Sequence, residues 1–221
     1  MSITEAMKAR HSVRQYKNQP IGTDIISVLQ SEIDACNKES GLHIQLVTNE
    51  PKAFDSFMAH YGKFSGVTNY IAMIGKKDSV LDEKCGYFGE RLVLKAQELG
   101  LNTCWVAMTY SKIKTAFKVE QGEKLCVVIA LGYGETGGVP HKSKAISEVS
   151  KVEGVMPDWF KKGMEAAMLA PTAMNQQKFL LTLDGGKVSV KPGKGFYTKL
   201  DLGIIKYHFE VGAGKGNFEW A

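Results

Sequence analysis

The stretch KLCVVIALGYGETGGVP, residues 124–140, decides between two classes of fold. Residues 125–131 form the longest wholly apolar run of the chain, which is typical of a buried strand. The glycines after it have the GxGxxG spacing of a dinucleotide-binding turn, and that turn needs a helix to begin within the motif. Pro140 and the glycine before Val139 cannot continue a helix. We therefore expect a strand that ends in a glycine turn and not a Rossmann fold.

The rest of the chain predicts a mixture of helices and strands. Apolar residues at helical spacing predict a helix over 25–36 and a longer one over 82–99. We also expect helices at 51–61, 111–118, 157–169 and 199–212, strands at 42–48, 69–75 and 103–108, a hairpin over 178–190, and an irregular tail after 212. Helices and strands alternate only partly along the chain. The fold class is therefore α+β and not doubly wound α/β.

A helix–strand unit at residues 24–48 recurs at residues 157–183. The matched positions are Ile25, Leu29, Ile33, Ala35, Ile44 and Leu46 in the first copy and Phe160, Met164, Met168, Ala170, Phe179 and Leu181 in the second. Any two amphipathic helices followed by strands would match in part, so internal symmetry and chance both remain open. We expect one domain over residues 1–221 that contains both copies.

Composition excludes several classes of protein. With 44% hydrophobic and 23% charged residues, the chain is typical of globular proteins and not of disordered ones. The net charge of +5 suits an anionic ligand but is too small to indicate nucleic acid. No apolar run approaches the roughly 20 residues of a membrane-spanning helix. Residues 1–16 also lack the apolar stretch of a secretory signal.

Cysteine and histidine usage predicts neither disulfides nor a metal site. The four cysteines, at 36, 85, 104 and 126, have no zinc or redox spacing. None of the five histidines has a histidine or cysteine two to five residues further on. We expect reduced thiols, no bound metal and a cytoplasmic protein.

Two short basic segments are candidates for binding an anion. A capping box of Ser2 and Glu5 predicts a short helix that ends near Arg10. In RHSVR, residues 10–14, Arg10 and Arg14 flank Ser12 just after this helix. Their forked guanidinium groups and the hydroxyl can donate charge-assisted hydrogen bonds to a phosphate. Lys142 and Lys144 follow the glycine turn as a second pair of cations. Taken singly, each segment is more typical of a solvated basic stretch than of a binding site.

A third candidate is the loop APTAMNQQ, residues 170–177, between a predicted helix and a predicted strand. Pro171 ends the helix and fixes the backbone. Thr172, Asn175 and Gln177 offer donors and acceptors, and Met174 offers apolar contact. Such a loop can bind the edge of a planar, amide-bearing heterocycle, or it is an ordinary capped turn.

Together these segments resemble the FMN-dependent nitroreductases. The family's Arg-Arg/His-Ser-x-Arg/Lys-x-Phe/Tyr pattern corresponds to residues 10–16, and its Leu-x-Ala-x-x-x-Gly-Leu-x-x-x-Trp pattern to residues 94–105. Its Ala-Pro-Ser-x-x-Asn-x-Gln-Pro-Trp loop corresponds to residues 170–179, with Thr172 in place of Ser and Lys178-Phe179 in place of Pro-Trp. A late strand that ends in Leu-Gly-Tyr, at 131–133, and the lysine pair after it complete the resemblance.

The resemblance implies a central, mostly antiparallel sheet flanked by helices, with bound FMN. In that family NADH or NADPH delivers hydride to flavin N5. A nitroaromatic or quinone-like acceptor then takes its place in a ping-pong cycle. The chemistry belongs to the cofactor, so no catalytic side chain is expected. By resemblance, the cofactor-binding residues are Arg10, His11, Ser12, Arg14, Leu101, Asn102, Thr103, Trp105, Lys142, Lys144, Pro171, Thr172, Ala173, Met174, Asn175 and Gln177.

The order of the motifs departs from that of the common family. The resemblance implies homodimers there, in which each site combines the arginines of one subunit with the loop of the other. There the loop follows the first long helix; here Cys36-Asn-Lys-Glu holds that place. The loop has moved to the C-terminal third, as in a smaller branch with a rearranged chain.

If the second copy of the helix–strand unit mimics the partner, one chain completes one FMN site. A homodimer with sites in trans remains open. The departures at Lys178 and Phe179 and the missing first loop also leave an alternative of another class. That alternative is a non-catalytic flavin-binding or storage protein.

Overall fold

Two four-stranded sheets organise the chain, and each lies in a different part of it. The computed structural model describes residues 1–221. These residues divide into unit 1, Met1–Leu81 with Arg91–Pro140, and unit 2, Asp82–Glu90 with His141–Ala221. Each unit is described by itself below. No helix is both long enough and apolar enough to cross a membrane.

Unit 1 contains the fully antiparallel sheet. Its helices are α1 (Ile3–Ala9), α2 (Thr23–Ser40) and α3 (Phe57–Tyr61), and its strands are β1 (Gln45–Val47), β2 (Asn69–Lys76), β3 (Asn102–Val106) and β4 (Glu123–Gly132). The helix α4, Leu81–Glu98, belongs at both ends to unit 1 and over residues 82–90 to unit 2. The strand order is β1-β2-β4-β3.

The central strand β4 explains the long apolar run in the sequence. It pairs with β2 on one side, with Asn69 opposite Leu131, and with β3 on the other, with Asn102 opposite Gly132. Residues 127–131 are almost fully buried, as is β2 up to Gly75. A strand with both faces covered needs apolar residues at every position and not at alternate ones. Each buried Val or Ile side chain contributes about 1.5–3 kcal/mol relative to its exposed state.

Unit 2 contains a mixed sheet packed with two long helices. Its helices are α5 (Ile146–Val149), α6 (Asp158–Ala167) and α7 (Thr198–Ala213), and its strands are β5 (Ser150–Val152), β6 (Phe179–Asp184), β7 (Lys187–Pro192) and β8 (Glu219–Trp220). The strand order is β5-β6-β7-β8. The β6–β7 hairpin is antiparallel, as predicted, and both residues of its turn, Gly185 and Gly186, have positive φ. Two-residue hairpin turns favour that conformation. The edge strands β5 and β8 pair parallel to their neighbours.

The predicted α+β class and the mostly antiparallel sheet flanked by helices are confirmed. Three local predictions are wrong. The helix predicted over 51–61 forms only over Phe57–Tyr61. Residues 111–118 form no helix; at the end of this range the Lys118 N–H donates to Gln45 Oε1 at 2.9 Å and the Lys118 carbonyl accepts from Gln45 Nε2 at 2.7 Å. The tail after 212 is not wholly irregular: Glu219–Trp220 pairs with β7, and the Trp220 indole donates to Glu210 Oε1 at 2.8 Å.

Both copies of the repeated pattern form a helix followed by a strand. The first is α2 with β1 and the second is α6 with β6. Leu29 and its counterpart Met164 are both fully buried. The strands differ in their surroundings, since β1 is an edge strand and β6 lies inside its sheet. Internal symmetry, and the single domain that contains it, remain predictions.

A buried polar pair links α4 to α7 inside unit 2. His208 Nε2 lies 2.9 Å from Glu90 Oε1, and both side chains are fully buried. His208 Nδ1 lies 3.0 Å from the carbonyl oxygen of Ala166 and donates to it, because a carbonyl oxygen can only accept. The pair therefore joins α4, α6 and α7 at one point.

We expect His208→Ala to lower the free energy of unfolding by about 3–5 kcal/mol, because Glu90 keeps its burial but loses the imidazole. Urea denaturation followed by circular dichroism measures this loss. The control is His60→Ala, at an exposed histidine of α3, which we expect to change the free energy by less than about 0.5 kcal/mol. Equal small losses in both variants would contradict the prediction.

Candidate functional site

The arginine segment, residues 10–17 of unit 1, begins where α1 ends. A capping box of Ser2 and Glu5 starts this short helix. Its last bond is donated by the Arg10 N–H to Ala6 O at 2.8 Å. The chain then becomes extended: Ser12 forms a parallel bridge with Thr103 of β3, and the Val13 N–H donates to Thr103 O at 3.0 Å. The segment thus runs beside the sheet as an additional short piece of strand.

Further backbone bonds hold the arginine segment from two more directions. Ser65 donates its N–H to Arg14 O, and Tyr16 donates its N–H to Ser65 O, both at 3.0 Å. The Lys17 N–H donates to Tyr133 O at 2.8 Å, and the buried Tyr16 hydroxyl donates to Val13 O at 2.7 Å. The backbone that carries the two arginines is therefore fixed before any ligand binds.

The glycine turn after β4 packs against the arginine segment. Gly138 has φ +77°, and a Cβ atom built on it would lie 2.8 Å from His11 Cβ and 3.2 Å from Ser12 O. Upstream, the Gly134 N–H donates to Asn102 Oδ1 at 3.0 Å. No helix begins within the turn or directly after it, as the sequence predicted. The glycines here permit close approach to residues 11–13 instead of cradling a pyrophosphate.

The positive charges of Arg10 and Arg14 both act on the thiol of Cys104 in unit 1. Arg10 is only 3% exposed, whereas Arg14 is exposed. Burial raises the pKa of the Cys104 thiol, and the charge of Arg14, a hydrogen bond from Ser12 and the charge of Arg10 oppose that shift. Both charges are thus felt at Cys104, on the strand that Ser12 pairs with. This part of unit 1 has the positive potential that a phosphate needs.

The predicted site residues on β3 and just before it differ in exposure. Leu101 is fully buried and Thr103 is 2% exposed, so both belong to the core. Asn102 and Trp105 are half-buried. In this conformation, Asn102 and Trp105 are the two of the four that can contact a ligand.

The candidate loop, residues 170–177 of unit 2, has unusual backbone geometry. Met174, Asn175 and Gln177 have φ values of 52°, 53° and 46°, although none is glycine. Such left-handed residues cost on the order of 1–3 kcal/mol each and persist only where the surroundings hold them. Thr172 supplies part of that support, since its carbonyl accepts from Asn175 N at 2.9 Å and its Oγ1 accepts from Gln177 N at 3.0 Å. Met174 is 93% exposed at the tip.

Amide side chains tie this loop to the lysine pair, also in unit 2. Gln177 Nε2 and Asn175 Nδ2 both donate to Lys142 O at 2.9 Å, and Gln177 Oε1 accepts from Lys144 N at 2.8 Å. The Lys144 ammonium donates to Gln177 O at 3.1 Å. Gln177 is 5% exposed, and each of its side-chain polar atoms has a partner in the protein. Residues 142–144 and the loop therefore behave as one structural element.

Sequence reasoning missed two residues that support this loop, Asp201 and Gln176. Asp201, 2% exposed, accepts hydrogen bonds from Ala173 N at 2.9 Å and from Gln176 Nε2 at 2.8 Å. The signal was a single carboxylate within the apolar stretch LDLGII at the start of α7. A carboxylate at a buried position needs donors, and the loop supplies them.

The structure groups the predicted residues within each unit. Arg10, Ser12 and Arg14 lie with β3 and the glycine turn in unit 1, and the lysine pair lies with the loop in unit 2. None of the predicted residues lines the cavity of about 590 Å³ in unit 2, which is formed by residues 185–187 and 215–219.

Comparisons with known proteins give one family. The family model described as Putative TM nitroreductase matches residues 2–213. The crystal structure of a putative nitroreductase from Thermotoga maritima MSB8 has a TM-score of 0.65 and 23% identity, covering 97% of this chain and 85% of that one. A putative NADH dehydrogenase/NAD(P)H nitroreductase from Parabacteroides distasonis has a TM-score of 0.53 and 21% identity, covering 66% and 95%. A nitroreductase family protein from Streptococcus pneumoniae TIGR4 has a TM-score of 0.53 and 13% identity, covering 67% and 98%. No curated protein matches.

Adjacent glycines test the packing of the glycine turn. In Gly138→Ala the new methyl group meets His11 and Ser12 and forces a left-handed alanine, so we expect a loss of about 1–2 kcal/mol in the free energy of unfolding. Gly137→Ala is the matched control, because its methyl group meets no atom within 4 Å and its φ is not positive. Urea denaturation of both variants measures the difference. A loss as large in Gly137→Ala would show that the close approach at Gly138 is not the cause.

Proposed function

We propose a function from the premise that this chain belongs to the family described as Putative TM nitroreductase. Membership supports an oxidoreductase. We propose that the chain binds FMN, takes hydride from NADH or NADPH, and passes it to a nitroaromatic or quinone-like acceptor in a ping-pong cycle. The observation that carries the flavin part is the arginine segment, which is held by backbone bonds beside β3 and whose two arginines both act electrostatically on Cys104 of that strand.

The donor set of the arginine segment fits a terminal phosphate. The exposed Arg14 offers forked, charged donors, and the almost fully buried Arg10 adds a positive charge. The Ser12 hydroxyl can donate to a phosphate in place of the Cys104 thiol. Because the backbone is already fixed, little ordering entropy opposes binding. No pyrophosphate-binding turn accompanies the segment, which favours FMN over FAD as the flavin.

The residues of unit 2 differ in what they can offer a flavin. The Lys144 ammonium has three donors and uses one on Gln177 O, so two remain for a phosphate. Thr172 Oγ1 accepts from Gln177 N and keeps its own hydrogen for donation. Contact of Thr172, Asn175 and Gln177 with ring or ribityl atoms remains our proposal. The exposed Asn175 suits it better than Gln177, whose polar atoms already have partners.

Bound FMN would supply the hydride chemistry, and the protein would hold it and shape access to it. The exposed Met174 offers apolar surface to a planar acceptor, and the half-buried Trp105 offers an aromatic face. We assign no side chain to proton transfer. The alternative, a flavin-binding or storage protein, needs the same residues to bind flavin but predicts no turnover.

The proposal is tested on purified protein reconstituted with FMN and, separately, with FAD. We expect a flavin absorption band with FMN and steady-state oxidation of NADH or NADPH in the presence of menadione. FMN binding without turnover would favour the storage alternative. Absence of bound flavin after reconstitution, or selective retention of FAD, would contradict the proposal.

Arg14→Ala tests the phosphate contact. Loss of one charge-assisted hydrogen bond costs about 1.5–3 kcal/mol, so we expect FMN affinity to fall on the order of tenfold to a hundredfold. Fluorescence titration with FMN measures the dissociation constant. Lys52→Ala, which removes one exposed positive charge elsewhere, is the control and should leave the affinity unchanged. Unchanged affinity in both Arg14→Ala and Arg10→Ala would show that the phosphate binds elsewhere.

The sequence alone predicts that one chain supplies everything one FMN needs. Protein carrying Arg10→Glu and Arg14→Glu is mixed with protein carrying Thr172→Ala and Asn175→Ala. We expect FMN binding to stay low, because neither parent can complement the other. Recovery of binding in up to about half of the sites of mixed dimers would favour a homodimer with sites in trans.

A further inference from the structure

Asp201 is a carboxylate at a position where a carboxylate is costly. It lies in the first turn of α7 and is 2% exposed. Its neighbours in the stretch from Leu200 to Ile205 are apolar apart from glycine. An isolated buried carboxylate loses its hydration, so it persists only where donors replace the lost water. The donors that Asp201 receives should therefore indicate what it is there to hold.

Both donors come from the candidate loop. Asp201 Oδ1 accepts from the Ala173 N–H at 2.9 Å, and Oδ2 accepts from Gln176 Nε2 at 2.8 Å. These two residues bracket Met174 and Asn175, whose φ values are positive. The carboxylate thus holds the loop at the residue before the left-handed segment, Ala173, and at a residue within it, Gln176.

Gln176 makes this contact specific for a carboxylate. Its Nε2 atom also donates to Phe196 O at 2.7 Å, so both hydrogens of the amide have an acceptor. The amide cannot be reversed without turning its oxygen toward the Phe196 carbonyl. Ala173 N and Gln176 Nε2 therefore both require an acceptor oxygen on residue 201. Asparagine has one such oxygen and would place its NH₂ group against one of the two donors.

We propose that Asp201 is the positioning residue of the candidate flavin loop. It holds residues 172–177 in the left-handed conformation that presents Met174 and Asn175 to the flavin and its electron acceptor. Asp201 acts through Ala173 and Gln176 and touches neither the cofactor nor the acceptor. This inference rests on the proposed function, since it names the residue on which that function's loop geometry depends.

Acidification should weaken the contact. Burial raises the pKa of Asp201 to about 6, and the hydrogen bonds from Ala173 and Gln176 oppose that shift. A protonated carboxyl group carries a hydrogen on one oxygen, which then accepts more weakly, so the hydrogen bond from one of the two loop donors weakens. The loop is fully anchored above about pH 6, and one of its two anchors weakens below it.

Acidification has the opposite effect on the contribution of Asp201 to the free energy of unfolding. The pKa of Asp201 is higher in the folded state than in the unfolded chain, so folding favours the protonated form. The contribution of this group to stability therefore falls as pH rises from about 4 to about 6. The loop itself carries no titratable group, and Lys142 and Lys144 are bonded to it. The stretch from Lys194 through α7 carries Lys194, Tyr197, Lys199 and Lys206, the part of α4 that lies against Gly203 carries Asp82, Glu83, Lys84 and Tyr87, and Lys178 follows the loop. As pH falls through about 6, a positioning role predicts weaker anchoring of the loop, whereas the contribution of Asp201 to global stability increases. The two roles are therefore distinguished by the direction of the pH effect.

The test compares the wild type with Asp201→Asn and with the control Asp184→Asn, an exposed aspartate at the end of β6. The first readout needs no flavin: hydrogen–deuterium exchange of peptides that cover residues 170–178, at pH 7.5. We expect exchange on the order of tenfold faster in Asp201→Asn, while Asp184→Asn matches the wild type. Equal exchange in all three proteins would overturn the proposal.

The second readout is steady-state turnover of the FMN-loaded protein with menadione between pH 5 and 8. We expect KM for menadione to rise on the order of tenfold in Asp201→Asn at pH 7.5. In the wild type KM should rise as pH falls through about 6. In Asp201→Asn that rise should be absent. A KM that stays at the wild-type value across this range would overturn the proposal.

Gln176→Ala provides a second variant if Asp201→Asn does not fold. It removes the partner of Asp201 Oδ2 at a half-buried position and leaves the carboxylate ionised, so it should raise loop exchange and KM in the same way. Wild-type exchange and KM in Gln176→Ala would overturn the proposal. If the wild type binds no flavin although Asp201→Asn speeds loop exchange, the proposed function fails and the role of Asp201 toward a flavin fails with it.

Discussion

Hydrogen bonding along both edges of β4 is the constraint on which unit 1 depends. The strand has β2 on one side and β3 on the other, and residues 127–131 are almost completely buried. A buried backbone cannot leave its N–H and C=O groups unpaired, so both neighbours are required. β3 in turn offers its other edge to Ser12 and Val13, which is where the arginine segment lies. The position of the two arginines thus follows from the pairing of a strand that carries no functional side chain.

The candidate residues themselves lie on irregular chain, and each unit holds that chain differently. In unit 1 the arginine segment is held by backbone bonds to β3, to Ser65 and to the residues after β4. In unit 2 the loop is held by side chains, those of Thr172, Gln177 and Asp201. Backbone bonds tolerate most substitutions, whereas a side-chain network fails when one member changes. The loop of unit 2 should therefore be the more sensitive of the two to mutation.

Periodicity and turn chemistry predicted most elements of this fold, including β4, the hairpin of β6 and β7, and the absence of a helix after the glycine turn. They failed where distant groups decide local structure. Residues 111–118 have a helical pattern, but the side chain of Gln45, far away in sequence, donates a hydrogen bond to the backbone of Lys118 and accepts one from it. The tail after 212 joins the sheet only because Val188 and its neighbours present an open strand edge to it. Neither interaction leaves a signal in the local sequence.

For the site, motifs identified which residue types gather but not how each is used. Asn37, in the last turn of α2, bonds to the backbone of Ile44 through both atoms of its amide, at 2.7 and 2.9 Å, and so joins the end of the helix to the chain before β1. In the loop after α6, the amides of Asn175 and Gln177 bond to Lys142 and Lys144 instead. A motif that resembles a ligand-binding loop is therefore partly a structural device, and burial separates the two roles. Gln177 has no polar atom to spare, while Thr172 and Lys144 keep donors that can face a ligand. Where a loop of this kind carries left-handed residues that are not glycine, its geometry depends on the side chains that hold it, and cofactor binding depends on them as well as on the side chains that can touch a cofactor.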